Sequence, residues 1–317
     1  MKNHLIARLP GGLGNQLFVF AAALYYGKIL DWPLKVDLSR IDSKHGKENI
    51  RDLLETRFDE YILEWRERDR FKSFTIRWES FWRRTGKRSF KTYFLNDQSL
   101  QINERKLMNI QSKLQWRRNG VAILLDGYFQ DFTYFDYLES KLIPKLSHLI
   151  IDSDSYFPQE SRECTKQNIC SIHIRLGDFY SELRTSLGVL DVQYYLNAVK
   201  KLIALNSKME FHIFSNDIKL ARKLYAELNH YNVTWKNDLN SEIQIGGNAI
   251  ETLREMASYE NFILSNSTFS FWSAKLATRT RDVLYPSPMY LNSNSTGIGG
   301  IPKHWTSLSA QFMRNDQ

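Results

Sequence analysis

The sequence predicts an α/β protein of two domains built on open parallel sheets. Three observations carry this expectation. Short apolar runs that break into small polar residues recur at 169–178, 211–217 and 261–270, as strands of an open α/β sheet do where they reach loops at their carboxyl edge. The first forty residues read as strand, glycine turn, helix and strand, a β-α-β unit. A chain of 317 residues, 43% hydrophobic and 14% aromatic, has the length and apolar content for two cores of ordinary size.

Taken in order, residues 5–9 (LIARL) are an apolar run far too short for a signal h-region and read as the first strand. The turn GGLGNQ leads into a helix over 16–30, and residues 34–38 form the next strand. Residues 49–118 read mostly as charged helix, before a strand over 121–125 (VAILL). A polar stretch over 152–160 divides the chain and sets the expected domains at 1–155 and 156–317. The second half alternates strands and helices through Tyr285. Residues 187–205 predict a helix, with Val192, Tyr195, Leu196, Val199 and Leu202 at helical spacing. Residues 292–300, rich in Ser, Asn and Gly, read as a loop, and no repeat of solenoid length is found.

The run ICSIHIRLGD (169–178) ends in an imidazole, a guanidinium, a glycine and a carboxylate. His173 and Arg175 lie two apart, so an extended strand points them the same way, and Gly177 lets backbone come close to whatever Arg175 grips. The planar fork of an arginine suits a phosphate or carboxylate. Two readings of Arg175 stay open: a salt bridge with Asp178, or a cation for a bound phosphate or carboxylate. His173 likewise either orients the site or packs beneath it. Ser215 and Asp217 end the second run, and Asn266, Ser267, Thr268 and Phe269 end the third. Ser267 or Thr268 suits the cap of a helix through Phe271, Trp272, Ala274, Lys275 and Leu276, whose free N–H groups would form an anion site.

These three segments, with GGLGNQLFVFAAAL at 11–24 and GYFQDFTYF at 127–135, resemble the α-1,2-fucosyltransferase family, glycosyltransferase family 11. Each motif alone is weak, but the ordered set over most of the chain is specific. The resemblance implies a GT-B-like fold, two Rossmann-like domains facing across a cleft, with the acceptor side in 1–155 and GDP-L-fucose in 156–317. It implies no cofactor and no metal, with inverting α-1,2 transfer of L-fucose to the 2-hydroxyl of a galactose-type acceptor. That acceptor would belong to a surface glycan, an O-antigen or related oligosaccharide. Arg175, His173 and Asp178 then carry the chemistry. Arg175, Gly177, Ser215, Asp217, Glu251, Asn266, Ser267, Thr268 and Phe269 line the donor, while Gly11, Gly12, Gly14, Asn15 and Gln16 face the acceptor side. Two departures stand out. Asn216 replaces the first carboxylate of a common Phe-Ser-Asp-Asp, and an acid expected at Thr252 is found one position earlier, at Glu251, the candidate for receiving the guanine edge. No catalytic base declares itself; Asp178, Asp126 and Asp37 are the candidates.

Other readings remain on the page. Gly12 to Leu17 with Asp37 nearly matches a dinucleotide fingerprint, but Leu17 stands where its third glycine belongs. Asp152 and Asp154 form an Asp-x-Asp after an apolar run, which is either a polar linker or the metal site of a glycosyltransferase that uses another nucleotide sugar. The segment from Trp65 to Tyr93 interleaves Arg and Lys with aromatics, as an amphipathic helix packed on its own domain or as an interfacial helix on an anionic leaflet, near a lipid-linked acceptor. With no run of about 20 apolar residues, the expected address is cytoplasmic, peripheral on the inner membrane face if that segment docks. A net charge of +8 is a modest hint of an anionic partner, and no nucleic-acid module is recognised. Two cysteines, Cys164 and Cys170, are too few for a disulfide framework.

Overall fold

The computed structural model describes residues 3–40, 64–66, 91–96, 100–114, 121–136, 168–236, 249–292 and 297–314. The chain forms two compact units, Met1–Glu139 and Ser140–Gln317. The expected boundary at 155/156, the Asp152-Asp154 pair and all but the ends of the Trp65 to Tyr93 segment lie outside the described residues.

The first unit contains strands β1 (His4–Pro10), β2 (Leu34–Arg40), β3 (Glu64–Arg66), β4 (Lys91–Leu95) and β5 (Val121–Leu125), with helices α1 (Leu13–Leu30), α2 (Leu100–Leu114) and α3 (Thr133–Asp136). Its sheet runs β3-β2-β1-β5-β4 and every pairing is parallel. Parallel neighbours need crossover connections, and the order reverses between β1 and β5. All five residues of β5 are buried, which is why its sequence is a continuous apolar run rather than an alternation. Helix α1 is apolar almost all round and is buried accordingly. Phe18 packs on Phe132 at 4.9 Å between ring centres. The helix begins three residues before the expected start because the Gly12 carbonyl already accepts the Gln16 N–H at 3.1 Å.

The second unit contains β6 (Ile169–Ile174), α4 (Asp178–Ser181), α5 (Val192–Leu205), β7 (Glu210–Ser215), α6 (Ile218–Leu224), a 3-10 turn (Ala226–His230), β8 (Val233–Trp235), α7 (Ala249–Ala257), β9 (Asn261–Ile263), α8 (Thr268–Leu276), β10 (Asp282–Ser287) and β11 (Thr306–Ser309). The sheet order is β11-β10-β9-β6-β7-β8, parallel throughout. Read from β8 and counted along the unit, the strands stand third, second, first, fourth, fifth, sixth, the doubly wound order, with its switch point between β6 and β9. Their pairing stops at Ile172 opposite Ile263. Past that point the carbonyls need other partners. Tyr195 Oη on α5 donates to the His173 carbonyl at 3.1 Å, and Tyr194 Oη to the Leu264 carbonyl at 2.8 Å.

Helix α5 begins at Val192 rather than at 187. Gly188 has φ +77°, and the returning tail takes the backbone instead: Met313 N–H donates to the Val189 carbonyl at 2.8 Å and Asp191 N–H to the Gln311 carbonyl at 2.7 Å. Asp191 then caps the helix by accepting from Gln193 N–H at 2.9 Å.

Candidate active site

Strand β6 ends on the carboxyl edge at the switch point, where ligands of doubly wound sheets bind. His173 is 4% exposed and its Nδ1 lies 2.7 Å from Ser265 Oγ, just past β9. Its ring is 5.6 Å from that of Phe269. Burial, seconded by the charge of Arg175, pushes its pKa down to about 3. The imidazole is therefore neutral at working pH, with one nitrogen donating and the other accepting.

Two residues on, Arg175 leaves the strand. Its Nη2 meets Asp178 Oδ1 at 2.5 Å, and its guanidinium carbon sits 5.1 Å from the centre of the Phe179 ring. Burial lowers the pKa of Arg175 while Asp178 raises it. Nε is buried and has no partner. A donor withdrawn from water without a partner costs about 1–3 kcal/mol, so this nitrogen is ready for an anionic oxygen. The pair with Asp178 exists, and it occupies only one edge of the fork.

Gly177 follows at φ +60° and ψ −117°, a region that is essentially glycine's alone. A methyl group there would lie 2.5 Å from Asn216 Nδ2. Asn216 Oδ1 accepts the Leu176 N–H at 2.8 Å. Its neighbours have tasks within their own turn: Ser215 Oγ accepts the Asp217 N–H at 3.1 Å, and Asp217 caps α6 by accepting from Leu220 N–H at 3.1 Å.

At the end of β9, Asn266 donates through Nδ2 to the carbonyls of Leu187 at 3.2 Å and Gly188 at 2.9 Å, while its Oδ1 is buried without a partner. Ser267 is the N-cap of α8. Its carbonyl accepts the Phe271 N–H at 3.1 Å, and its side chain makes no capping bond. Thr268 and Phe269 are half-buried in the first turn. Glu251 lies in the first turn of α7, the helix that descends into β9, so the topology brings it to the same edge. Its charge counters the loss of basicity that burial imposes on Arg254.

In the first unit, Gly11 (φ +57°) turns the chain out of β1, and its carbonyl accepts from Gln16 Nε2 at 2.8 Å. Gly12 caps α1, Gly14 is buried in its first turn, and Asn15 Oδ1 accepts from Gln130 Nε2 at 3.2 Å. Arg8 Nε donates to Asp37 Oδ2 at 3.1 Å, and Arg8 Nη1 lies 3.7 Å from Asp126 Oδ2. A dinucleotide site asks Asp37 to receive a ribose; here it holds an arginine. Arg8, Ser265 and Asn216 escaped the sequence reading as site residues. Arg8 has a signal, a charge in an apolar strand, whereas the other two act through neighbours distant in sequence.

Among the described residues no group of three His, Cys, Asp or Glu could hold a metal ion, and no helix is long and apolar enough to cross a membrane. Cys170 is a buried free thiol. The sequence model of glycosyl transferase family 11 matches residues 10–290. The chain belongs to this family. As a family 11 member it is a glycosyltransferase, and its parallel sheets give it the α/β fold that the sequence predicts.

Two curated relatives are similar over nearly their whole length. The Escherichia coli O-antigen biosynthesis glycosyltransferase WbnK is 28% identical, covering 92% of this chain and 96% of that protein. An E. coli alpha-1,2-colitosyltransferase is 24% identical, covering 96% and 98%. Among solved structures, the alpha-1,6-fucosyltransferase NodZ co-crystallised with GDP has 15% identity, a TM-score of 0.47 and coverage of 87% and 93%. A variant of Arabidopsis thaliana FUT1 in complex with GDP has 12% identity, a TM-score of 0.43 and coverage of 94% and 74%.

Proposed function

We propose that this family 11 glycosyltransferase moves L-fucose from GDP-L-fucose to the 2-hydroxyl of a galactose-type residue in a surface glycan such as an O-antigen, with inversion and without a metal. The observation that carries the reading is the Arg175 guanidinium at the β6–β9 switch point, its Nε buried and unpartnered. Rupture of a sugar–diphosphate bond builds negative charge on the departing phosphate, and a fixed cation with oriented N–H donors stabilises that charge. Arg175 meets the diphosphate in this reading, aided by the first-turn N–H groups at Thr268 and Phe269. Neutral His173, anchored to Ser265, shapes the floor without adding a second positive charge. Glu251 receives the guanine edge, and the turn at Gly11 and Gly12 with the first turn of α1 through Gln16 meets the acceptor. The enzyme works in the cytoplasm, at the inner membrane face if its acceptor is lipid-linked.

One observation favours a second donor: the alpha-1,2-colitosyltransferase among the relatives. Colitose lacks one hydroxyl of fucose, so product mass separates the two. The test incubates purified protein with GDP-fucose or the colitosyl donor and a panel of β-galactosides, with and without EDTA. Acceptor-dependent GDP release, a product heavier by one fucosyl residue and indifference to EDTA are expected. EDTA-sensitive transfer from another nucleotide sugar would overturn the reading and turn attention to Asp152 and Asp154. Arg175→Ala should lower kcat by about a hundredfold or more, since such contacts are worth about 3–4 kcal/mol in the transition state. Near-normal activity would refute its assignment.

A further inference from the structure

We infer that Asn216 is a positioning residue, whose carboxamide clasps the turn after β6 and so fixes the direction in which Arg175 presents its guanidinium. The inference rests on the reading of Arg175 as the diphosphate cation and adds a residue to that site.

The geometry is specific. Past Ile174, which pairs with Ser215, β6 has no further register partner on β7, and the chain must turn at once. Leu176 N–H would be left without a strand partner there, and Asn216 Oδ1 takes it at 2.8 Å. The same carboxamide lies against Gly177: its Nδ2 would be 2.5 Å and its Cγ 3.6 Å from a Cβ added there. One planar group thus meets both residues that follow Arg175. Gly177 in turn carries the start of α4, since its carbonyl accepts from the N–H groups of Tyr180 and Ser181, each at 3.0 Å. Asp178, the first residue of α4, holds Arg175 Nη2 at 2.5 Å. The route from Asn216 to the guanidinium therefore has two arms, one through Leu176 and one through Gly177 and Asp178.

Ser215 and Asp217 cannot substitute. Both are engaged within their own turn, at the start of α6. Asn216 is exposed and reaches across to β6, so its removal takes away a strand-to-strand link without opening the core. The opposite end of the same loop is tied separately, by Asn266 to the carbonyls of Leu187 and Gly188. A general loosening of the loop and a loss of its Arg175 end are therefore separable. An aspartate at 216 keeps an oxygen for the Leu176 N–H, whereas alanine keeps nothing.

A double-mutant cycle on GDP affinity tests this, with wild type, Asn216→Ala, Arg175→Ala and the double variant titrated calorimetrically and their melting temperatures recorded alongside. Asn216→Ala should weaken GDP about tenfold, the scale of one lost hydrogen bond. In the Arg175→Ala background the same change should do almost nothing, because residues acting through one another are non-additive. Asn216→Asp should recover most of the affinity. Should Asn216→Ala melt below the assay temperature, Asn216→Ser carries the same cycle. An equal loss in both backgrounds, or none in the wild type, overturns the inference while leaving Arg175's role intact. Normal GDP binding by Arg175→Ala overturns both.

Discussion

Lowering the pH from 7 to 5 should cost this protein about 2 kcal/mol of stability through His173 alone. The ring is 4% exposed, and burial followed by the charge of Arg175 moves its pKa from the ordinary 6.5 to about 3. Between those values the unfolded chain binds a proton at this histidine and the folded chain does not. The contribution is therefore fully present above about pH 6.5 and is lost progressively as the pH falls towards 3. Each pH unit is worth about 1.4 kcal/mol, and pH 5 lies about 1.5 units below the unfolded value, which gives the figure. Guanidinium unfolding of wild type and His173→Asn at both pH values provides the assay. The asparagine keeps an amide near Ser265 Oγ and has no proton to take up, so losses common to the two proteins cancel. The variant should lose about 2 kcal/mol less than wild type between pH 7 and 5. Equal losses would refute the buried, neutral imidazole, as would a His173 resonance that titrates near 6.5. For the same reason, kcat/KM should carry no limb from His173 above pH 5.

Three further outcomes follow from particular contacts. Gly177→Ala should destabilise by about 1–3 kcal/mol and weaken GDP binding, because its φ of +60° and a methyl 2.5 Å from Asn216 Nδ2 outweigh the entropy gained in the unfolded chain; denaturant midpoints and GDP titration check both. Asp217→Ala should cost about 1 kcal/mol as a lost helix cap, read from the denaturant midpoint; an unchanged midpoint would refute the cap. Gly188→Ala should lower the melting temperature and loosen the tail, since the added carbon would lie 2.5 Å from Phe312 Cδ1 and 2.9 Å from Leu291 Cβ; limited proteolysis near residue 314 reads the second effect.

The strands at 121–125 and 169–174 were legible because a parallel strand buried on both faces has to be a short apolar run. The start of α5 was not. Leu187 to Leu190 fit a helical pattern, but the tail residues Gln311 to Met313, more than a hundred positions away, capture their backbone. Local periodicity has no access to such a competitor. Strand β11 was hidden for a related reason: its alternation of half-buried and exposed residues is that of an edge strand, and only pairing with β10 makes it one.

What the sequence determined by itself was the inventory and its chemistry: apolar runs that end in His173, Arg175, Ser215 and Ser267, a glycine where the backbone turns, and an ordered set of motifs that carries the family. These are local properties, written in spacing and side-chain type. The tertiary structure alone decided which strand ends are neighbours. By placing β9 beside β6 it brought Ser265 to His173 and the start of α8 to the edge where Arg175 stands. It decided that His173 is neutral, because burial is a sum over distant residues. It also gave Asn216 its task, since a hydrogen bond across forty positions of chain depends on two strands lying side by side.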